Sequence, residues 1–283
     1  MSDNVFGKNE TENLRMEMIS SIVQRALREQ AQLIPTIRDV SALAQPGLNA
    51  ITFPRRGGKF TVENLVEEAV ADVQSFEYEG DKLELNRHAM IAWFIKKRSD
   101  IQAMVNIEAD SIGEAAAEHA IDVDREIMKA MLAGAAAANN VAVTGGDAYG
   151  KADLLESKEK LQKATRLNPR NSAFNLLVGS KREADLLNIN EFVTADKYGT
   201  AQIPTGALGR LFGVNVFVTD EAVLGDNKAL MYVSEGIVYG NQMAPDFREL
   251  YIPKRAGTEY ALDQLYGIKV LDGGKYISEI TFS

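Results

Sequence analysis

The stretch Asn106–Gly134, NIEADSIGEAAAEHAIDVDREIMKAMLAG, decides how the rest of the chain is read. It has no proline, is rich in alanine, and places Ile112, Ala116, Ala120, Val123, Ile127 and Met131 at steps of four and three, one apolar face of a helix. At about 1.5 Å of rise per residue such a helix runs roughly 40 Å, enough to cross a whole domain as a strut. Gly134 is its expected stop. The other side carries Asp110, Glu114, Glu118, Asp122 and Glu126, one acid every four residues. Like charges at that spacing destabilise an isolated helix by about a few tenths of a kcal/mol per pair, so packing or basic neighbours must hold it.

Around this strut the totals are those of a folded protein. The chain has 283 residues, 46% of them hydrophobic and 25% charged, enough for one large domain or two smaller ones. The absence of cysteine excludes disulfides, thiolate nucleophiles and thiolate metal sites. No run approaches the ~20 apolar residues of a membrane span, and the polar start MSDNVFGKNE is unlike a signal peptide. The expected location is the cytoplasm or particles assembled there. A net charge of -9 with a pI near 5.0 disfavours tight non-specific nucleic-acid binding, which needs lysine and arginine against phosphates.

N-terminal to the strut, Leu14, Met18, Ile22 and Ala26 with Ile19, Val23 and Leu27 predict an amphipathic helix over Glu10–Ala31. Pro35, Pro46 and Gly47 then break the chain into an extended connector. Ile51 and Phe53 predict a short strand, followed by a basic loop Arg55-Arg56-Gly57-Gly58-Lys59 and a short helix from Val62 to Gln74. Ser75–Tyr78 and Lys82–Leu85 around Glu79-Gly80-Asp81 read as a hairpin. This excursion has too little apolar content to stand alone and needs another surface to lie on. Trp93 and Phe94 beside Ile91 and Ile95 read as core, and Ser99–Gln102 fits a capping box leading into the strut.

C-terminal to it, an apolar trio Val141–Val143 and a glycine loop precede a charged helix from Ala152 to Thr165. A mixed region follows, with strands at Phe174–Val178, Val214–Val218, Ala229–Val233, Gly236–Tyr239, Glu249–Ile252, Glu259–Tyr266 and Ile277–Phe282, and a short helix at Lys181–Leu187.

Motifs that carry chemistry are few. Gly145-Gly146-Asp147-Ala148-Tyr149-Gly150-Lys151-Ala152 fits a phosphate-binding loop except at Ala152, which lacks the hydroxyl that holds magnesium. The available partner acid, Asp220, follows a strand interrupted by Asn215 and Thr219. A glycine-rich turn capping a helix is the favoured reading, with a nucleotide-binding α/β enzyme as the alternative. The acidic stripe is not a carboxylate-bundle metal site, since Glu118 and His119 are adjacent and point to different faces. His88 is the other histidine, too few for a multi-histidine centre. Gly206, Gly209 and Gly213 lack the dinucleotide spacing, and no nucleophile signature occurs. No catalytic, cofactor or metal residues are assigned.

The order of elements, with Met131-Leu132-Ala133-Gly134 closing the strut, Asn175-Leu176-Leu177-Val178-Gly179, and Gly206-Ala207-Leu208-Gly209-Arg210-Leu211-Phe212-Gly213-Val214-Asn215-Val216-Phe217-Val218-Thr219, resembles a tailed-bacteriophage major capsid protein of the Hong Kong 97-like fold over nearly the whole chain. The resemblance implies an α+β fold: an N-terminal arm (1–48), an extended loop (49–90), a peripheral domain with the spine helix (91–149 and 255–283) and an axial domain (150–254). It implies a virion shell protein, assembled in the host cytoplasm as hexamers and pentamers of itself, with a separate scaffolding protein and a portal, enclosing double-stranded DNA without reading its sequence. Neither membrane nor cofactor is implied. Encapsulin compartment shells share this fold and stay open as an alternative. Complementary charge between subunits suggests a contact of Arg55, Arg56 and Lys59 with Glu114, Glu118 and Asp122. Some members of the family weld a loop lysine to a peripheral asparagine. Lys59 has no such partner after Asn241, so no crosslink is expected.

Overall fold

The computed structural model describes residues 32–56, 62, 75, 77–98, 107–143, 150–165, 173–187, 209–219, 223–225 and 227–282. The helices expected over Glu10–Ala31 and, apart from Val62, Val62–Gln74, and the capping box at Ser99–Gln102, lie outside the described residues. In chain order the strands are β1 (Arg38–Asp39), β2 (Ala50–Arg56), β3 (Tyr78–Glu84), β4 (Arg87–Lys96), β5 (Val141–Ala142), β6 (Phe174–Gly179), β7 (Gly209–Leu211), β8 (Val214–Thr219), β9 (Lys228–Val233), β10 (Ile237–Ile252), β11 (Gly257–Val270) and β12 (Ile277–Thr281). The helices are α1 (Ile107–Gly134), α2 (Lys151–Thr165) and α3 (Ser180–Leu187).

The strut is α1, and its expected face from Ile112 to Met131 is buried, joined by Ala115, His119, Asp124 and Met128. Gly134 ends it at a crowded junction. A Cβ there would stand 2.9 Å from the Val270 side chain, and a Cβ on Gly274 would stand 1.6 Å from the Gly134 carbonyl oxygen. Glycine at both positions lets the turn after β11 close on the helix end.

Two sheets flank this helix. In the four-stranded sheet, β1-β10-β11-β4, Ile91, Trp93, Ile95, Phe247, Tyr260 and Leu262 pack under Ile112, Ala115 and Ala116. Trp93 stacks on Tyr260 at 5.5 Å between centroids and donates its indole N–H to Ser111 Oγ at 3.1 Å. The six-stranded sheet, β5-β12-β9-β6-β8-β7, is covered on both sides. In β9, Leu230 and Tyr232 join the core that includes α1, whereas Ala229, Met231 and Val233 join the core with Leu154 and Leu161 of α2 and Leu186 of α3. A strand covered on both faces reads as a continuous apolar run, which is why its sequence was plain.

The connector after residue 31 is threaded through the first of these cores. Leu33 and Ile37 are buried with Ile127 and Met131. Asp124 accepts the backbone N–H of Gln32 at 2.8 Å and of Leu33 at 3.3 Å. Thr36 Oγ1 meets the Tyr232 hydroxyl at 2.6 Å, and Asn175 Nδ2 donates to the Thr36 carbonyl at 3.3 Å.

Three sequence expectations are corrected. Glu79-Gly80-Asp81 is no turn: it lies inside β3, which pairs antiparallel with β2 from Ala50↔Glu84 to Arg56↔Tyr78. Gly236–Tyr239 and Glu249–Ile252 are not separate strands but the two ends of β10, whose middle bulges at Asn241–Asp246, where Pro245 supplies no ladder N–H. Arg87–Lys96 is a strand, β4, where only core residues were expected. Strand pairing also crosses the expected divisions: β10 from 150–254 runs along β11 from 255–283, and β12 lies between β5 and β9.

Candidate functional site

Three surfaces bear on function. The first is the β2–β3 hairpin. Its base is fixed because Leu83 and Leu85 enter a core with Val40, Ala44 and Val238, against which Ile51 and Phe53 pack. Arg55, expected on a loop, lies in β2 and is paired within its own chain with Glu79 and, at 3.5 Å, with Asp272. Arg56 ends the strand, and Lys59 lies outside the described residues.

The second is the acidic face of α1. Asp110, Glu114 and Glu118 are exposed, whereas Asp122 is half-buried and 3.6 Å from Arg125. Glu126 is engaged by Arg87 of β4 and by Lys129 at 2.7 Å. The stripe therefore divides: its C-terminal acids are satisfied locally, and Glu114 and Glu118 face solvent. His119, next to Glu118, is 1% exposed, with Nε2 at 2.6 Å from Gln264 Oε1. Gln264 in turn donates to the Tyr239 hydroxyl at 2.8 Å. Burial holds the imidazole below its ordinary pKa, opposed by the bond to Gln264 and by Asp122. Among the described residues no group of three or more histidine or acidic side chains is clustered to hold a metal.

The third is the face of the four-stranded sheet turned away from α1. Met90 on β4 is 61% exposed and Leu250 on β10 is 66% exposed. The sequence expectations assign this face no role. The signal was present in Ala89, Ile91, Trp93 and Ile95, a period-2 row that packs inward and leaves His88, Met90, Ala92 and Phe94 on the other face.

Of the phosphate-loop candidate, Gly150, Lys151 and Ala152 are described. Residues 144–149 lie outside the described residues. At the start of α2 the Gly150 N–H donates to Asp153 Oδ2 at 3.1 Å, the return half of a capping box. This buried Asp153 places a carboxylate in the first turn of the helix, where its charge disfavours a bound phosphate. Lys151 Nζ lies 5.3 Å from the centre of the Phe212 ring. No helix among the described residues is long and apolar enough to cross a membrane.

A model of the phage capsid protein family matches residues 73–272, a span containing β3, β4, α1 and most strands of both sheets. No curated protein matches the chain by sequence. Among solved structures, one of Mycobacterium phage Che8 is 18% identical with a TM-score of 0.66 over 89% of this chain and 91% of that one. The capsid of the cyanophage P-SCSP1u is 11% identical, with a TM-score of 0.65 over 88% of this chain and 86% of the other. A virus-like particle from Pyrococcus furiosus is 15% identical, with a TM-score of 0.58 over 94% and 99%. At these identities the likeness is one of fold.

Proposed function

The chain belongs to the phage capsid protein family and has the Hong Kong 97-like fold, and from that premise we propose that copies of it close into the icosahedral shell around a double-stranded DNA genome. Its role is structural, that of a major capsid subunit. The observation that carries this reading is the family match across residues 73–272. The compartment-shell alternative shares the fold and is the less supported, since the family matched is one of phage capsid proteins. The nucleotide-enzyme alternative is weakened by the Asp153 carboxylate at the start of α2.

In this reading hexamers and pentamers form the shell, with a portal and a separate scaffolding protein serving assembly in the host cytoplasm. The four-stranded sheet with α1 is the peripheral domain, and the six-stranded sheet with α2 and α3 is the axial domain. This reassigns β10 to the former and β5 and β12 to the latter. The β2–β3 hairpin with residues 57–77 is the extended loop, reaching a neighbouring copy. There Arg56 and Lys59 meet Glu114 and Glu118 of the neighbour's α1, whose carboxylates are exposed. Electron microscopy of the purified protein is expected to show closed particles of uniform size; only monomers or open aggregates under all assembly conditions would refute the reading. Reversing Arg56 and Lys59 to glutamate is expected to reduce particle yield at least about tenfold, while normal particles would exclude that contact.

A further inference from the structure

Both the base and the middle of the β2–β3 hairpin are tied to the body, but by different means. At the base, the Ile51↔Leu83 pair sits in an apolar core, with Leu83 wholly buried. Farther out, polar contacts converge on one residue of the turn after β11. The Asp272 N–H donates to Asp81 Oδ2 at 2.8 Å, and the Asp272 carboxylate lies 3.5 Å from Arg55 Nε and 2.5 Å from Lys275 Nζ. Arg55 also pairs across the hairpin with Glu79.

The turn that presents Asp272 is unusual. Asp272, Gly273 and Gly274 have φ of 56°, 60° and 78°, three successive left-handed residues, of which only Asp272 bears a side chain. A glycine at 272 would adopt that conformation more easily. The aspartate gives the turn charged bonds to Arg55 and Lys275 in return for its conformational cost. The turn is itself anchored: Gly274 lies against the carbonyl of Gly134 at the end of α1, and the Ala136 N–H donates to the Gly274 carbonyl at 3.4 Å. One residue thus connects the middle of the hairpin to the end of the long helix.

We propose that Asp272 is a latch for the β2–β3 hairpin. When Asp272 is engaged with Arg55 and Asp81, the outer half of the hairpin is held at the end of α1. When it is released, that half hinges about the fixed Ile51↔Leu83 pair. The Arg55 side chain is 35% exposed, so ionic strength weakens the charged half of the latch. The apolar base is indifferent to salt at these concentrations. The latch is a property of the subunit and stands whether or not copies close into particles.

Amide hydrogen exchange on the full soluble chain tests it, comparing the unaltered protein with Asp272→Asn, Asp272→Gly and Arg55→Gln. Asparagine tolerates the left-handed backbone and glycine relaxes it, so the pair separates loss of the carboxylate from relief of strain. All three variants are expected to speed exchange in residues 53–56 and 78–81 by about two- to fivefold, with residues 83–85 and the six-stranded sheet unchanged. Raising salt to about 1 M is expected to move the unaltered protein toward Asp272→Asn and to shift Asp272→Asn less, since only the Arg55–Glu79 pair remains there to be screened. Unaltered exchange of the outer hairpin in Asp272→Asn and Arg55→Gln would overturn the proposal. So would a loss of protection spread evenly over the whole chain in both variants.

Discussion

Among the described residues the six-stranded sheet is covered on both faces, whereas the four-stranded sheet is covered by α1 on one face and, around Val238, by the hairpin base on part of the other. In β9, adjacent Leu230 and Met231 are both fully buried, one toward α1 and the other toward α2 and α3. In β10, Phe247 is buried under α1 while Leu250, on the opposite face, is 66% exposed. One sheet is a finished interior. The other is an interior on its α1 side, with Met90 and Leu250 left exposed on the opposite side.

This contrast makes quantitative predictions. The largest effects belong to the doubly covered sheet, where Leu230→Ala and Met231→Ala should each cost about 2–5 kcal/mol in chemical denaturation of the subunit, although they point to opposite sides. If one of the pair costs little, the sheet is not an interior on both faces. Next comes the seam where the connector crosses this core. Asp124→Ala leaves the N–H groups of Gln32 and Leu33 without that acceptor and should cost about 1–3 kcal/mol by the same measurement.

A smaller, pH-dependent effect separates the sheets. His119 lies between α1 and the four-stranded sheet, and its folded pKa is lowered, chiefly by burial. Stability from this group is complete above the unfolded value near 6.5. It falls as acidification takes the pH through that value toward the lower folded one, because the unfolded chain then binds more protons. Denaturation midpoints measured between about pH 7 and 5 should therefore drop more in the unaltered protein than in His119→Asn. Equal drops would assign the acid sensitivity to other groups. The smallest effect is expected on the open face: Met90→Ser or Leu250→Ser should change subunit stability by no more than about 0.5 kcal/mol. A cost near that of the buried positions would mean the face is covered in the free subunit.

The same difference governs what could be read from the sequence. β6, β8 and β9 were legible because burial on both faces leaves an unbroken apolar run bounded by turns. α1 was legible from its periodicity, with its end at Gly134 as expected. β10 was not, because a bulge around Pro245 resets the alternation midway and makes one strand of 16 residues look like two. The pairing of β2 with β3 was hidden for another reason. Gly80 has the composition of a turn residue, and only the partner strand, which sets Pro54 opposite it, shows that it is mid-strand. Of the candidate contact residues, charge and helix face could be read from sequence, and partners could not. Arg55 was free in sequence terms and is paired in the fold with Asp272, 217 positions away. Nothing local to Arg55 encodes that.

The place of β12 has a consequence in time. Residues 277–281 lie inside the six-stranded order, between β5 and β9, with Ile277 and Ile280 fully buried. The connector from residue 32, made early in synthesis, packs in the same core as Ile277. A chain still on the ribosome lacks that strand, and its central sheet stays open until synthesis has passed residue 281. Such long-range pairing is slow to form. Completion of this sheet is thereby tied to synthesis of residues 277–281.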